Sequence, residues 1–591
     1  MNFNSNYSRR NLEFLLFEVF KIHELKKYPH FANMDEESIK GYLDLSETIA
    51  EKYQRPFFKS TDQKPATWHE GKVSVHPAIK TYYEAYASQG LMAATFDPKF
   101  GGFCLPKSVY ALGDFIIGNA HNGMEMFTAL THSGAKLLLS FASDDLIDRF
   151  VPGLLDGTLS ATMCLTEPQA GSSLQEILTL AAENEGNYKI KGQKIFISAG
   201  DHDITQNIIH LVLAKTTSQT NKISLFAVPK FKDDKQTSND VQSIGIYHKM
   251  GQKSTPAVHL EFGANDNCNA YLIGEEGKGL QYMFQMMNAA RLGVGLAGTY
   301  MASAAYYISL KYANERIQGK RKDENGFAVP ATIIHHADIR RMLLLQKSIF
   351  EGALSLIQEC NLYIDLMQVV ENKDQKEKYQ SLLDLLTPVA KAYGSEKGIE
   401  SISHAMQILG GYGYTEDFNI EQLYRDARIL SIYEGTTGIQ SITLLGRNVL
   451  ATEGKSILVW KEKVIGGLAP NLTQDHFKEY AELLMTEISR FEKVIFHLIN
   501  QSKLISTEYA LKDATVFMEY FGIINIGWQW IKQGIVARQA LDSNTHDDEF
   551  YSSKIKTMKF YFQYEWVKVD ALVKIILAKE DLVYNGAYID C

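Results

Sequence analysis

Cysteine is scarce in this chain: five occur in 591 residues, at Cys104, Cys164, Cys268, Cys360 and Cys591. They are far apart, odd in number and form no C-x-x-C pair. That excludes a disulfide framework and a zinc site and leaves free thiols in a reducing compartment. An excess of positive charge is also missing. The 60 Lys and Arg against 69 Asp and Glu give a net charge of −9, the wrong sign for a nucleic-acid binder, whose binding face is basic. The first ten residues lack the arrangement of a signal peptide, and the apolar run after them is broken by Glu13, Glu18 and Lys21. Arg9-Arg10 therefore does not read as a twin-arginine signal. Only Leu292–Leu310 is uncharged over a length that could span a bilayer. Its glycines, hydroxyl side chains and tyrosines, with Arg291, Lys311, Glu315 and Arg316 close by, read instead as a helix buried inside a soluble bundle. There is no tandem repeat and no low-complexity tract. Gly274–Gly279 is glycine-rich but is not G-x-G-x-x-G, and reads as a turn feeding a helix.

What is present is ample chain for large cores. Hydrophobic residues make up 45% and charged residues 22%, as in ordinary globular proteins. At ~150 residues per domain the length suggests about four units. Residues 1–160 read as packed helices without a sheet, with Asn11–Leu25 at helical spacing and Pro77 opening a helix to Ala87. From about Thr158 the period changes. Asn187–Gly200 alternates and turns at Gly192, and Ile208–Ala214, Ile223–Val228 and Val258–Phe262 follow as short strands. With polar turns between them, these predict a compact antiparallel unit. Lys230–Asp240 reads as an exposed loop. Long helices resume at Leu280, over His336–Leu366 and Tyr379–Met406, and suggest a four-helix bundle. Gly466–Asn471 looks like a linker. Beyond it, Phe477, Tyr480, Leu484, Ile488, Phe491, Ile495 and Leu498 mark one face of a further helix. The expected domains are 1–160, 161–279, 280–465 and 471–591: mainly α with a central β domain.

One stretch carries a candidate for chemistry. In Tyr424–Gln440, Glu434 stands between Tyr433 and Gly435. Partial burial raises a carboxyl's pKa toward neutrality, and glycine admits a ligand to the backbone, so Glu434 is a candidate base. The same residues also suit a surface position or the first turn of a helix.

Three segments together resemble the acyl-CoA dehydrogenase family. Met163-Cys164-Leu165-Thr166-Glu167-Pro168-Gln169-Ala170-Gly171-Ser172 resembles its flavin-contacting segment, Lys194–Gly200 its next strand against the flavin, and Arg425–Gln440 its catalytic loop. They occur in the family's order over residues 90–450, and the conjunction is far more specific than any single motif. The length and the helical 471–591 extension resemble the longer bacterial branch that includes 3-(methylthio)propanoyl-CoA dehydrogenases. Asn314–Lys320 fits that branch too.

The resemblance implies an N-terminal helical domain, an antiparallel β-barrel-like domain, a four-helix bundle and an extra helical domain. It implies FAD as cofactor and α,β-dehydrogenation of a fatty acyl-CoA to trans-2-enoyl-CoA, a β-oxidation reaction. Glu434 is the implied base. In one subgroup the base precedes an arginine on the first long helix after the sheet, and here that place is Ala290, which cannot take a proton. The flavin contacts implied are Leu165, Thr166, Gly171, Phe196, Ser198 and Thr436. Arg316, Gln318, Gln407, Gly410 and Gly411 correspond to contacts with the FAD of a neighbouring subunit. Without the resemblance, Phe196 reads as a core strand residue, Arg316 and Gln318 as an exposed helix end, and Gly410 as a helix C-cap. Ser172, Asn288, Arg291 and Tyr433 correspond to substrate and CoA contacts. The sequence departs from many relatives at Met163, Ser173 and Gly438, none of which the chemistry requires. Implied partners are the acyl-CoA, electron-transfer flavoprotein and a second copy of the chain as a homodimer, in the bacterial cytoplasm. The acyl chain, and whether residues 471–591 serve dimerisation, a lid or a membrane surface, stay open. An acyl-CoA oxidase of the same fold and a non-catalytic scaffold are the competing readings.

Overall fold

Two helices near the start of the chain begin where the sequence supplies a cap or a proline. Asp35 accepts from Ser38 N at 2.8 Å to open α1, Glu36–Tyr53. Pro77 opens α2, Pro77–Ser88, where its missing N–H costs nothing. The computed structural model describes residues 6–217, 222–469, 476–543 and 546–584. The chain forms two units, Pro29–Ala290 and Met1–Tyr28 together with Arg291–Cys591.

The first unit continues with α3, Lys107–Phe141, and α4, Asp144–Asp156. α3 is kinked at His121 (φ −165°, ψ 95°), where Thr61 Oγ1 lies 2.7 Å from Nε2. The N-terminal region is not free of sheet. β1, Thr67–His69, and β2, Lys72–Ser74, form a hairpin around Glu70 and Gly71, both at positive φ. Three-residue strands carry too short an alternation to be read. Trp68 Nε1 pins the hairpin by donating to Ser243 O at 2.8 Å.

The central sheet has eight strands: β3 Leu159–Cys164, β4 Leu180–Asn184, β5 Asn187–Ser198, β6 Asn207–Thr216, β7 Ile223–Pro229, β8 Val241–Ile246, β9 Ala257–Phe262 and β10 Asn269–Ile273. Their order is β10-β7-β6-β4-β5-β9-β8, with β3 on β6; β10 also pairs with β5, closing five strands into a barrel-like ring. The sheet is not wholly antiparallel as expected, because β3 and β4 both run parallel to β6. Parallel pairing needs a crossover of a dozen residues or more, and the chain between β3 and β6 supplies it. Nor does β5 turn at Gly192. It runs straight through, changing partner from β4 to β9 there. A Cβ at 192 would stand 2.4 Å from Thr179 Oγ1, so glycine serves packing at that point. Ile190, Ile197, Val212, Phe226, Val258, Leu260 and Phe262 fill the core of this sheet. Lys230–Asp240 is a loop, though Asn239 and Asp240 at its end are buried.

Helix α5, Gly279–Glu315, starts in the first unit and carries the chain into the second. Leu292, Leu296, Tyr300 and Met301 are buried along it. Among the described residues no helix is long and apolar enough to cross a membrane. A hairpin follows, β11 Ile317–Lys322 with β12 Ala328–Thr332, so Gln318 lies on a strand and not at a helix end. Then come α6, Ala337–Val369, α7, Lys373–Leu409, and the short helices α8, Ile420–Ala427, and α9, Thr437–Ile442. α10, Lys455–Leu468, includes Gly466 and Gly467, so the expected linker is helix there; Pro470 and Asn471 lie outside the described residues, as does Cys591. Gly467 is needed because a Cβ would stand 2.6 Å from the Trp528 ring. α11, Lys478–Leu504, α12, Ala514–Asp542, and α13, Asp548–Tyr564, complete the unit. α11 buries Leu484, Ile488, Phe491 and Leu498 as its spacing predicts. α12 docks on α6: Trp530 Nε1 donates to Ser348 O at 3.0 Å and Gln529 Nε2 to Glu359 at 2.6 Å.

Candidate active site

In the second unit, the loop between α8 and α9 holds Glu434 in a conformation L-residues avoid. Glu434 has φ 53° and Gly435 φ 84°; the left-handed region costs a non-glycine residue about 1–2 kcal/mol. The surroundings enforce it. Gln440, fully buried, donates from Nε2 to Glu434 O at 3.0 Å. A Cβ at Gly435 would stand 2.5 Å from that same nitrogen, so only glycine lets the clamp close. Thr436 caps α9 by accepting from Ile439 N at 3.2 Å. Thr437 Oγ1 hydrogen-bonds Glu396 of α7, tying the loop to that helix. Tyr433 N donates to Ile429 O at 3.1 Å, anchoring the residue before the carboxylate.

Burial pushes the Glu434 carboxyl up to about 7, against the pull of two cations, Arg291 and Lys391. Arg291, buried on α5, is itself lowered by desolvation. Lys391, wholly buried on α7, is lowered to about 8 by desolvation, with Glu396 and Glu434 acting the other way. A carboxyl near 7 is ionised in a substantial fraction at neutral pH and remains basic enough to take a proton.

The hairpin start and the α7 terminus border one cavity of about 570 Å³, lined by Arg316, Gln318, Gly410 and Gly411 among others. Gly410 caps α7, its N–H donating to Gln407 O at 3.1 Å, and has φ 60°, ψ −136°, a region reserved for glycine. A Cβ at Gly411 would meet no protein atom, so its absence leaves room beside the cavity. Arg316 is the exposed residue just past α5, and Gln407 is exposed on the last turn of α7.

The first unit places the remaining residues. Leu165 and Thr166 follow β3, and Ile195 N donates to Thr166 O at 2.9 Å, bringing that segment against β5. Phe196 is not a core residue. Its φ is 57° and it is 56% exposed. The register of β5 against β9 slips between Lys194 and Ile197, and a bulge re-aims the side chain it carries. The Phe196 ring lies 4.3 Å from that of Tyr247, and Ser198 is half-buried opposite Ala257. Gly171 and Ser172 sit exposed in the β3–β4 connection, and Asn288 is half-buried on α5, three residues before Arg291.

Family models match most of this architecture. "Acyl-CoA dehydrogenase, middle domain" matches residues 162–264, "Acyl-CoA dehydrogenase, C-terminal domain" 277–450, and "Acetyl-CoA dehydrogenase C-terminal like" 462–585. The 3-methylmercaptopropionyl-CoA dehydrogenase of Ruegeria pomeroyi is 33% identical over 94% of this chain and 95% of its own. The chain belongs to the acyl-CoA dehydrogenase family, FAD-dependent oxidoreductases acting on CH–CH bonds. A butyryl-CoA dehydrogenase of Syntrophomonas wolfei is 31% identical over 94% of both chains. The fold is that of an acyl-CoA dehydrogenase complexed with FAD from Bacillus anthracis, with a TM-score of 0.76 and 21% identity over 93% of this chain and 90% of that one. The match through 585 accounts for the C-terminal extension as well as the core.

Several residues that shape the site escaped sequence reading. Gln440 was invisible because its role depends on a loop conformation. Lys391 left a signal, a single charge in the otherwise uncharged stretch Thr387–Ser395. Glu167 was read only as part of a motif. Buried, it accepts from Lys194 Nζ at 2.7 Å, Leu178 N at 2.6 Å, Thr179 N at 3.1 Å and Thr179 Oγ1 at 2.6 Å, while Lys194 also reaches Leu165 O at 3.1 Å. One carboxylate thus organises the segment around Thr166.

Proposed function

We propose that the protein catalyses the α,β-dehydrogenation of an acyl-CoA thioester to the trans-2-enoyl-CoA, with Glu434 as the base. The observation that carries this is the carboxyl lifted to about 7, fixed at positive φ by the Gln440 clamp. The residues fit FAD. An exposed, bulged aromatic suits a planar ring, and a cavity with an arginine and two glycines suits the pyrophosphate and adenosine end. Leu165, Thr166, Gly171, Phe196, Ser198 and Thr436 would hold the flavin side. Arg316, Gln318, Gln407, Gly410 and Gly411 would serve the FAD of a second copy in a homodimer. When bound, FAD supplies a hydride acceptor for the substrate β-carbon.

The chain's own part is to take the α-proton. Glu434 accepts it as a carboxylate, and the backbone N–H at the same residue donates to the thioester oxygen, making the α-proton acidic enough to move. Tyr433 flanks the thioester. Ser172, Asn288 and Arg291 bind along the CoA. Electron-transfer flavoprotein reoxidises the enzyme.

Anaerobic titration of the yellow holoenzyme with butanoyl-, octanoyl- and 3-(methylthio)propanoyl-CoA tests the reading. The expected result is bleaching of the ~450 nm flavin band with stoichiometric enoyl-CoA for at least one thioester. No bleaching with any of them would contradict it. Rapid reoxidation by air in place of electron-transfer flavoprotein would mark an oxidase.

A further inference from the structure

Helix α7 carries an ammonium with nothing to donate to. Lys391 is wholly buried, and among the described residues its Nζ has no hydrogen-bond partner. Burying an unpaired charge is costly, so a buried lysine without a partner calls for a specific explanation. The backbone leaves it little choice of direction. Gly295 of α5 approaches so closely that a Cβ there would stand 2.5 Å from Ala390 O and 3.2 Å from Lys391 Cα. One turn on, a Cβ at Gly298 would stand 2.0 Å from Gly394 O. The two helices touch through glycine, and no lysine stem fits between them.

The charged groups facing Lys391 are few. Glu396 lies on its own helix, Glu434 on the loop, and Arg291 on α5, with Arg447 acting in turn on Arg291. Glu396 is already engaged by the Thr437 hydroxyl. That bond ties the loop of Glu434 to α7, and Glu434 is the second carboxylate, after Glu396, whose charge acts on Lys391.

We propose that Lys391 is a positioning residue for the base, its buried ammonium keeping the Glu434 carboxylate ionised between turnovers. This rests on Glu434 being the base. Lys391 stays charged below about pH 8, so its field is present through the range in which Glu434 titrates. Once Glu434 has taken the α-proton, Lys391 and Arg291 both face a neutral acid, which favours return of that proton to water before the next substrate. A group with such a role sets the acid limb of the rate profile and leaves substrate affinity nearly untouched.

The test is the rate of flavin reduction by saturating acyl-CoA from roughly pH 5.5 to 9, in holoenzymes carrying the wild-type chain, Lys391→Met and Lys391→Arg. The acid limb of Lys391→Met should move up by about one pH unit, roughly a tenfold loss at pH 6, with KM little changed. Lys391→Arg should restore the wild-type limb. Lys391→Met should also retain its flavin and melt no lower than wild type, since an orphaned buried charge has been removed. A limb that superimposes on wild type, or one that Arg shifts as far as Met, overturns the proposal. So does a Lys391→Met chain that fails to fold or to bind flavin, because the lysine is then structural. Glu434→Gln, run alongside, separates the two readings. An inactive Glu434→Gln with an unshifted Lys391→Met rejects Lys391 alone, whereas an active Glu434→Gln rejects the base itself.

Discussion

Glu434 is a residue whose placement works against stability. Its carboxyl is raised to about 7 from an ordinary 4.5 by burial. The folded chain therefore holds a proton that the unfolded chain has released. The resulting destabilisation is absent below about pH 4.5, grows as pH rises toward 7 and is complete above it. Glu434→Gln should be more resistant to urea than wild type at pH 8, by up to ~3 kcal/mol, with the difference vanishing near pH 4. Equal midpoints at pH 8 would contradict the assigned burial. Glu167 is the opposite case. Desolvation alone would raise it, but Lys194 and the donors from Leu178 and Thr179 bring it down to about 2. Lys194→Met leaves that carboxylate buried without its cation and should cost about 3–5 kcal/mol in unfolding free energy, with visible loss of flavin on gel filtration. At this scale the motifs singled out Glu434 and Thr166, which the structure places on a loop at positive φ and against β5. The sequence was silent where a residue's placement depends on a partner that only the folded backbone brings to it, as Gln440 to Glu434 and Lys194 to Glu167.

Among elements, the α5–α7 crossing fixes the two backbones that carry Arg291 and Lys391. Gly295 and Gly298 on one helix meet Gly394 and Gly398 on the other, backbone against backbone. Gly298→Val should lower the melting temperature and cost at least about 1–3 kcal/mol, because its Cβ has no place beside Gly394 O. An unchanged melting curve would mean the crossing is looser than described. The long helices were legible for different reasons: α11 keeps its apolar period over many turns, whereas α7 is buried on every side over Leu385–Ser395 and shows as a long run of mostly helix-compatible residues. Four strands were legible, β5 and β9 by their alternation and β6 and β7 as β-rich runs; the other strands were not read. The parallel pairings on β6 were not, because strand direction follows from a long connection and leaves no trace in alternation. The bulge at Phe196 escaped for a related reason: a single slipped residue looks like an uninterrupted apolar strand, and only β9 reveals the slip.

At the scale of the whole chain, the second unit is built from both ends of the sequence. Arg10 donates to Asp547 and Glu18, each at 2.7 Å, and to Tyr551 at 2.8 Å. The Phe14 ring lies 5.3 Å from Phe550, edge to face. Lys554 bonds Asn11 and reaches Glu351 of α6 at 2.7 Å. The N-terminal segment thus completes the core on which α13 rests. Phe14→Ala should cost about 3–5 kcal/mol and open α13 to limited proteolysis before the first unit is cut. The helical spacing of Asn11–Leu25 was visible in the sequence, but it says nothing about a partner more than five hundred residues away.

The measurement that bears most directly on the function is rapid anaerobic flavin reduction by the best acyl-CoA in wild type and Glu434→Gln. A positioned general base is worth ~10²–10⁴ in rate. The expected result is a Glu434→Gln holoenzyme that stays yellow and folded, binds the thioester, and is reduced slower than wild type by at least that factor. Reduction of Glu434→Gln at the wild-type rate would contradict the assignment of Glu434 as the base.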